Sequence, residues 1–189
     1  TGAGLLRMPD KELFASQLPT ADLYFRYGLT EAGPMVSRLL PHDMLDPEVD
    51  GSIGTEYLLA EVQLQDLDGN EVPAGELGEI CVKGPSLMTG YYGRPDATAD
   101  AFRGGWLHTG DLAVRDERGY LFFRDRLKEM IKTGGENVYS AEIEQALYLH
   151  PAVLEAVVVG VPDPKWDEEV RAVVVLRDGR EAGYGELAT

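Results

Sequence analysis

"DLAVRDERGYLFFRDRLKEMIK", residues 111–132, decides how the chain is divided. Leu112 to Val114 and Tyr120 to Phe123 are apolar, β-prone runs, and the polar "RDERG" between them reads as a turn. The stretch predicts a hairpin whose first strand Asp111 opens. After Phe123 the character changes: Arg124, Arg126, Lys128 and Lys132 crowd against Asp125 and Glu129, a locally positive connector in an acidic chain. A hairpin that runs into a charged connector places a domain boundary near residue 125.

Before the boundary, "KELFASQL" (11–18) predicts a short helix with Leu13, Phe14 and Leu18 on its apolar side. "ADLYFRY" (21–27) predicts a strand, and "GLTEAGP" (28–34) a glycine-bearing loop. From Ile53 to Val82, short strands are broken by "DLDGN" and "PAGELG", turn signals that predict hairpins of a small antiparallel sheet or partial barrel. "GRPDATADAF" (93–102) predicts a surface turn and short helix. Beyond the boundary "TGGENVY" breaks the pattern. "SAEIEQALYLH" (140–150) then predicts a helix with Ser140 as N-cap and acids in the first turn, where the helix dipole favours them. "VLEAVVVGV" and "VRAVVVL" are β-branched runs with the length of buried strands. The order predicts a compact α+β unit from about Leu127.

The 189 residues carry 17 Lys+Arg against 33 Asp+Glu, a net charge of -16, which argues against a nucleic-acid surface or an anionic membrane as partner. A phosphate-bearing ligand would have to be met by a local arrangement. Cys81 is the single cysteine, so no internal disulfide forms and a cytoplasmic setting is expected. No apolar run has the length to cross a bilayer. His42, His108 and His150 lack metal-ligand spacing with one another or with Cys81, so no zinc site is expected. The chain opens on "TGAGLLRMPD" and stops at "YGELAT", where a helix-favouring stretch has only begun, so a fragment of a longer protein is expected.

Three stretches could carry chemistry. In "YGLTEAG" (27–33), Tyr27 offers a flat face, Thr30 a hydroxyl, Glu31 a hard oxygen suited to magnesium, and Gly28 and Gly33 allow close backbone approach. Asp111 could accept both hydroxyls of a ribose, and Arg126 could reach the same ligand. In "IKTGGENVYSAEIE", Lys132 sets a cation beside Gly134 and Gly135, with a helix N-terminus following. Each has a simpler reading: an exposed acid in a loop, a turn aspartate with a surface ion pair, and a β-to-α loop that needs two glycines.

Taken in order, however, "YGLTEAGP", "GELGEICVKGPSLMTGYYGRPDATADAF", "GWLHTGDL", "GYLFFRDRLKEMIKTGGENVYSAEIEQAL" and "VLEAVVVGVPDPKWDEEV" closely resemble the adenylate-forming superfamily from about Leu23 to Leu176. Within it the likeness is greatest to acyl-CoA synthetases acting on fatty or aromatic acids. The resemblance implies a mixed α/β and α+β fold: residues 1–125 as the end of a large domain, a sheet edge plus a small antiparallel β-barrel, and residues 126–189 as the start of a mobile α+β lid, both incomplete. It implies an ATP-dependent acid–thiol ligase that forms an acyl-AMP from a small carboxylic acid and passes the acyl group to coenzyme A. An adenylation domain loading a carrier protein and a non-catalytic nucleotide-binding module are the alternatives. Tyr27 would pack on adenine, Thr30 would contact phosphate oxygens, Glu31 would help hold Mg2+, and Asp111 and Arg126 would hold the ribose of ATP or AMP. Lys128 would be the hinge, and Lys132 with Gly134, Gly135 and Glu136 would face the site in the second step. The family's phosphate loop would lie upstream of Thr1 and its C-terminal lysine after Thr189, so the chain by itself is expected to be silent. Ser140 stands where the family usually has proline and Asp167 where it usually has glycine, and both replacements are expected to be tolerated.

Overall fold

The computed structural model describes Leu6 and residues 8–187, and the chain divides into two compact units, residues 1–123 and 124–189. The first unit opens with helix α1 (Met8–Gln17), followed by strands β1 (Phe25–Leu29), β2 (Gly33–Leu39) and the short β3 (Thr55–Glu56) in an antiparallel three-stranded sheet. Next come β4 (Glu61–Gln65), β5 (Leu77–Lys83), helix α2 (Pro95–Ala101), β6 (Leu107–Arg115) and β7 (Leu121–Arg126), the last strand running on past residue 123. These four strands lie in the order β4-β5-β6-β7 with β4 and β7 at the edges, so the expected barrel is an open sheet.

One core serves both sheets: Phe25, Val36 and Leu39 from β1 and β2 pack with Val62, Leu64, Ile80, Val82, Leu107, Ala113 and Leu121. Burying an aliphatic side chain of this kind contributes roughly 1.5–3 kcal/mol. Trp106 is buried at the head of β6, with Lys83 Nζ 3.9 Å from its ring centroid, a cation–π contact that pins β6 to the end of β5.

Three expectations change here. The helix forms, but Leu13, Phe14 and Leu18 are exposed while Lys11 is buried, its Nζ 2.7 Å from Asp50 Oδ1. A buried ammonium needs such a partner, and that ion pair outweighs the apolar pattern in orienting α1. "GLTEAGP" is mostly strand, with only residues 30–32 in the turn between β1 and β2. And Asp111 does not open its strand: β6 begins at Leu107, so the carboxylate rises from mid-strand.

In the second unit β8 (Ile131–Thr133) and β9 (Glu136–Val138) form a hairpin, α3 (Ser140–Tyr148) follows, and β10 (Val153–Asp163) pairs with β11 (Asp167–Leu176) before a terminal turn of helix, α4 (Tyr184–Leu187). The sheet order is β10-β11-β8-β9. Its core joins Ile131, Leu147, Val153, Ala156 and Val158, with Ile143 and Val170 packed alongside. The two valine-rich runs were expected to be buried strands. Instead Val157, Val159, Val173 and Val175 are exposed, because α3 covers one face of the hairpin and its side chains alternate between faces.

Ser140 was expected as the N-cap of α3; it is the first helical residue, and Tyr139 occupies the cap position without a side-chain bond. The capping acceptor comes from Asp125, a buried carboxylate whose Oδ2 accepts from Ser140 Oγ at 3.0 Å and from the Ala141 N–H at 3.4 Å. A carboxylate at a helix N-terminus satisfies orphan amides and meets the positive end of the dipole.

Candidate active site

Asp111 is 5% exposed, and its Oδ2 accepts a 2.6 Å hydrogen bond from the Tyr27 hydroxyl of β1. The bond ties two sheets together and limits how the carboxylate can turn. The backbone beneath it is irregular: Glu79 pairs with Leu112 and Cys81 with His108, so two steps along β5 face four along β6. Thr109 and Gly110 make up the excess, with Gly110 at φ +74°, where glycine is the favoured residue. Side chains replace the missing ladder bonds. The Gly110 N–H donates to Glu79 Oε1 at 2.8 Å, Thr109 Oγ1 donates to the Ile80 carbonyl at 2.8 Å, and the Asp111 N–H donates to Thr109 Oγ1 at 3.1 Å.

The turn that carries Thr30 and Glu31 is clasped by residues 84–92. Ser86 Oγ donates to the Ala32 carbonyl, the Met88 N–H donates to the Glu31 carbonyl, and the Tyr91 hydroxyl donates to Glu31 Oε1 at 3.0 Å. That bond to Glu31 holds the Tyr91 phenol above its usual range, so it stays a neutral donor near neutral pH. Tyr91 was not foreseen: its sole sequence sign is an aromatic pair beside a glycine. Thr30 is exposed at the turn. A Cβ on Gly28 would stand 2.6 Å from the Gly33 oxygen, so the group that needs the space at Gly28 is the chain's own β2 backbone. Beside the turn, Arg26, Gly28, Leu29, Thr30, Gly33 and Pro34 line an open hollow of about 510 Å³.

Strand pairing also overturns the reading of the histidines. Cys81 and His108, far apart in sequence, are cross-strand partners, with Sγ 3.3 Å from Nδ1, and Glu79 Oε2 lies 2.8 Å from the same nitrogen. Glu79, Cys81 and His108 thus have metal-ligand proximity. One feature opposes a metal: Arg103 Nη2 sits 2.9 Å from His108 Nδ1 and 3.2 Å from Glu79 Oε2, putting a positive charge on the same donors. Burial followed by the Glu79 charge pushes the Cys81 thiol up to about 12. The cluster works as a hydrogen-bonded latch under the β6 bulge.

In the second unit Gly134 and Gly135, at φ +60° and +87°, are the two central residues of the β8–β9 hairpin, as a tight turn of that type requires. They were read as part of a β-to-α loop; Glu136 instead begins β9, and Lys132 is exposed on β8. Lys128 is exposed in the turn after β7, and the Arg126 N–H donates to Asp125 Oδ1 at 2.7 Å.

Family matches, relatives of similar sequence and a solved structure connect this architecture with known proteins. Residues 2–92 match the family described as AMP-binding enzyme, and residues 142–188 match the AMP-binding enzyme C-terminal domain. Over 161 residues the chain is 48% identical to a feruloyl-CoA synthase of Amycolatopsis sp, covering 85% of this chain and 32% of that protein. Over 152 residues it is 50% identical to a long-chain-fatty-acid–CoA ligase of Escherichia coli O6:H1, covering 80% and 27% respectively. The chain therefore spans about a third of the length of these relatives. Among solved structures, o-succinylbenzoate CoA synthetase from Bacillus subtilis, in complex with its acyl-adenylate intermediate, superposes with a TM-score of 0.86 at 36% identity, over 98% of this chain and 37% of that one. With both family matches falling on the two units in the order that the motifs require, the chain belongs to the AMP-binding enzymes, the adenylate-forming superfamily.

Proposed function

We propose that the full-length protein carrying this chain is an AMP-forming acid–thiol ligase. A carboxylic acid attacks the α-phosphate of ATP, pyrophosphate leaves, and the thiol of coenzyme A then displaces AMP from the acyl-adenylate. A carboxylate is a poor acyl donor, and attachment to AMP supplies the leaving group that the second step needs. The observation that carries the reading is the Asp111 carboxylate, nearly buried yet held as an acceptor by the Tyr27 hydroxyl. A carboxylate can accept several hydrogen bonds at once, and the vicinal hydroxyls of a ribose are two adjacent donors that suit such an acceptor.

In this reading Asp111 and Arg126 contact the ribose, the Tyr27 ring lies against adenine, and Thr30 meets phosphate oxygens. Magnesium, when bound, offsets charge on the phosphates. Glu31 fits it as a partly exposed hard oxygen on a clasped turn, since Mg2+ is commonly held by one or two carboxylates plus substrate phosphates. Lys128, just past the division of the chain, serves as hinge for a mobile second unit, and Lys132 with Gly134, Gly135 and Glu136 acts in the thioester step. Fatty and aromatic acids are the substrate classes favoured by the relatives. A cytoplasmic setting fits the supply of ATP and coenzyme A; among the described residues no helix is long and apolar enough to cross a membrane.

The test is pyrophosphate release by the full-length protein across acids of graded chain length, with coenzyme A or a phosphopantetheine-bearing carrier protein as acceptor. Acid-dependent release followed by acyl-CoA formation supports the proposal. Release with transfer to the carrier alone replaces coenzyme A by a protein acceptor, and no acid-dependent release overturns the activity. The chain alone is expected to form no acyl-adenylate.

A further inference from the structure

We infer that Glu79 is a positioning residue for nucleotide binding: through the Gly110 N–H it fixes the bulge that presents Asp111. The inference rests on the ribose role proposed for Asp111. Glu79 is 6% exposed and uses both oxygens: Oε1 accepts from the Gly110 N–H at 2.8 Å, while Oε2 lies 2.8 Å from His108 Nδ1 and 3.2 Å from Arg103 Nη2. Arg103 in turn donates from Nη1 to the Asp100 carbonyl at 2.9 Å, which ties the latch to the end of α2.

Without Glu79, two features of the bulge lose their cause. The Gly110 N–H, immediately before Asp111, would lose its acceptor, and an unsatisfied amide beside a buried strand favours a shift of backbone until it finds another. The positive φ of Gly110 would then have no hydrogen bond holding it, and that dihedral sets the direction in which the next residue leaves the strand. Tyr27 restrains the tip of the Asp111 side chain, and Glu79 with Thr109 restrains its base. Displacements of about 1 Å in a substrate-positioning group cost up to roughly 100-fold in rate, so both ends of the side chain need support.

The experiment measures KM and kcat in the full-length protein for ATP and for 2′-deoxy-ATP, which lacks one of the hydroxyls that Asp111 would accept. Four variants are compared: Glu79→Ala, Glu79→Gln, Thr109→Val and Asp111→Asn. We expect Glu79→Ala to raise KM for ATP roughly tenfold with a smaller change in kcat, and to erode the preference for ATP over 2′-deoxy-ATP. Glu79→Gln, which keeps an acceptor for the Gly110 N–H, should recover most of that preference. Should Glu79→Ala fail to fold, Thr109→Val removes the hydroxyl that holds the Asp111 N–H and carries the same expectation. Loss of the preference in Asp111→Asn together with full retention in a folded Glu79→Ala or Thr109→Val protein overturns the positioning role alone. An unchanged preference in Asp111→Asn overturns the ribose reading, and the role of Glu79 with it.

Discussion

The Tyr27 hydroxyl donates to the Asp111 carboxylate across 84 residues of sequence, at 2.6 Å. One partner stands on β1 of the three-stranded sheet and the other on β6 of the four-stranded sheet, so a side-chain bond sets the relation between the two elements that carry the proposed nucleotide contacts. Hydrogen bonds to a charged acceptor contribute about 1.5–3 kcal/mol, more than a neutral pair.

Tyr27→Phe separates this bond from any stacking, because the ring face is kept. We predict that KM for ATP in the full-length protein rises roughly tenfold while kcat changes less. A ring that acts through adenine contact alone would leave KM at the wild-type value.

Tyr91 holds Glu31 by a hydrogen bond that a metal-bound carboxylate could redistribute. Tyr91→Phe is predicted to lower the Mg2+ concentration giving half-maximal activity by about two- to tenfold, at constant MgATP. An unaltered or higher magnesium requirement would show that the tyrosine assists the turn without competing for the carboxylate.

Asp125 accepts from the N–H of Arg126, the hydroxyl of Ser140 and the N–H of Ala141, three donors that would otherwise lack it. Asp125→Ala should destabilise the second unit by roughly 2 kcal/mol. Hydrogen exchange at the first amides of α3 reads this directly, and protection equal to that of the parent chain would refute the capping role.

Asp167 sits at φ +73°, a left-handed conformation in which a side chain is strained, at the close of the loop joining β10 and β11. Three-residue hairpin loops favour glycine at such a position. Asp167→Gly is predicted to stabilise the chain by about 0.5–1 kcal/mol, seen as a higher denaturant midpoint; a lower midpoint would mean that the carboxylate contributes more than its backbone costs.

The Cys81 thiol, pushed up to about 12 by burial and then by Glu79, should stay protonated at pH 8. Mass spectrometry after iodoacetamide treatment should find it unmodified in the folded chain and alkylated once urea is added. Because its folded value lies above the unfolded one, the thiol's contribution to stability is full below the unfolded value and is lost as pH rises toward 12. Rapid alkylation of the folded chain at pH 8 would contradict that environment.

Much of the molecule follows from local pattern. The hairpin that follows Asp111 and the helix from Ser140 are each specified by residues close in sequence, where turn chemistry and periodicity act directly; the glycines at 134 and 135 marked a break, but only the pairing of β8 with β9 made it a hairpin turn. The ordered motifs identified the superfamily for the same reason. What local pattern could not supply was orientation and partnership. Lys11 rather than Leu13 turns inward on α1 because Asp50 is there to receive it, and Asp125 rather than Ser140 supplies the acceptor at α3. Likewise Cys81 and His108 meet only because β5 and β6 pair, and Tyr27 reaches Asp111 only because two sheets share a core. Cross-strand neighbours and hydrogen-bond partners depend on register and packing between distant segments, which composition and spacing do not encode, so Asp111 and Glu31 stood out in the sequence as candidates, while Glu79, Tyr91 and the contacts by which they hold those residues were decided by the tertiary structure.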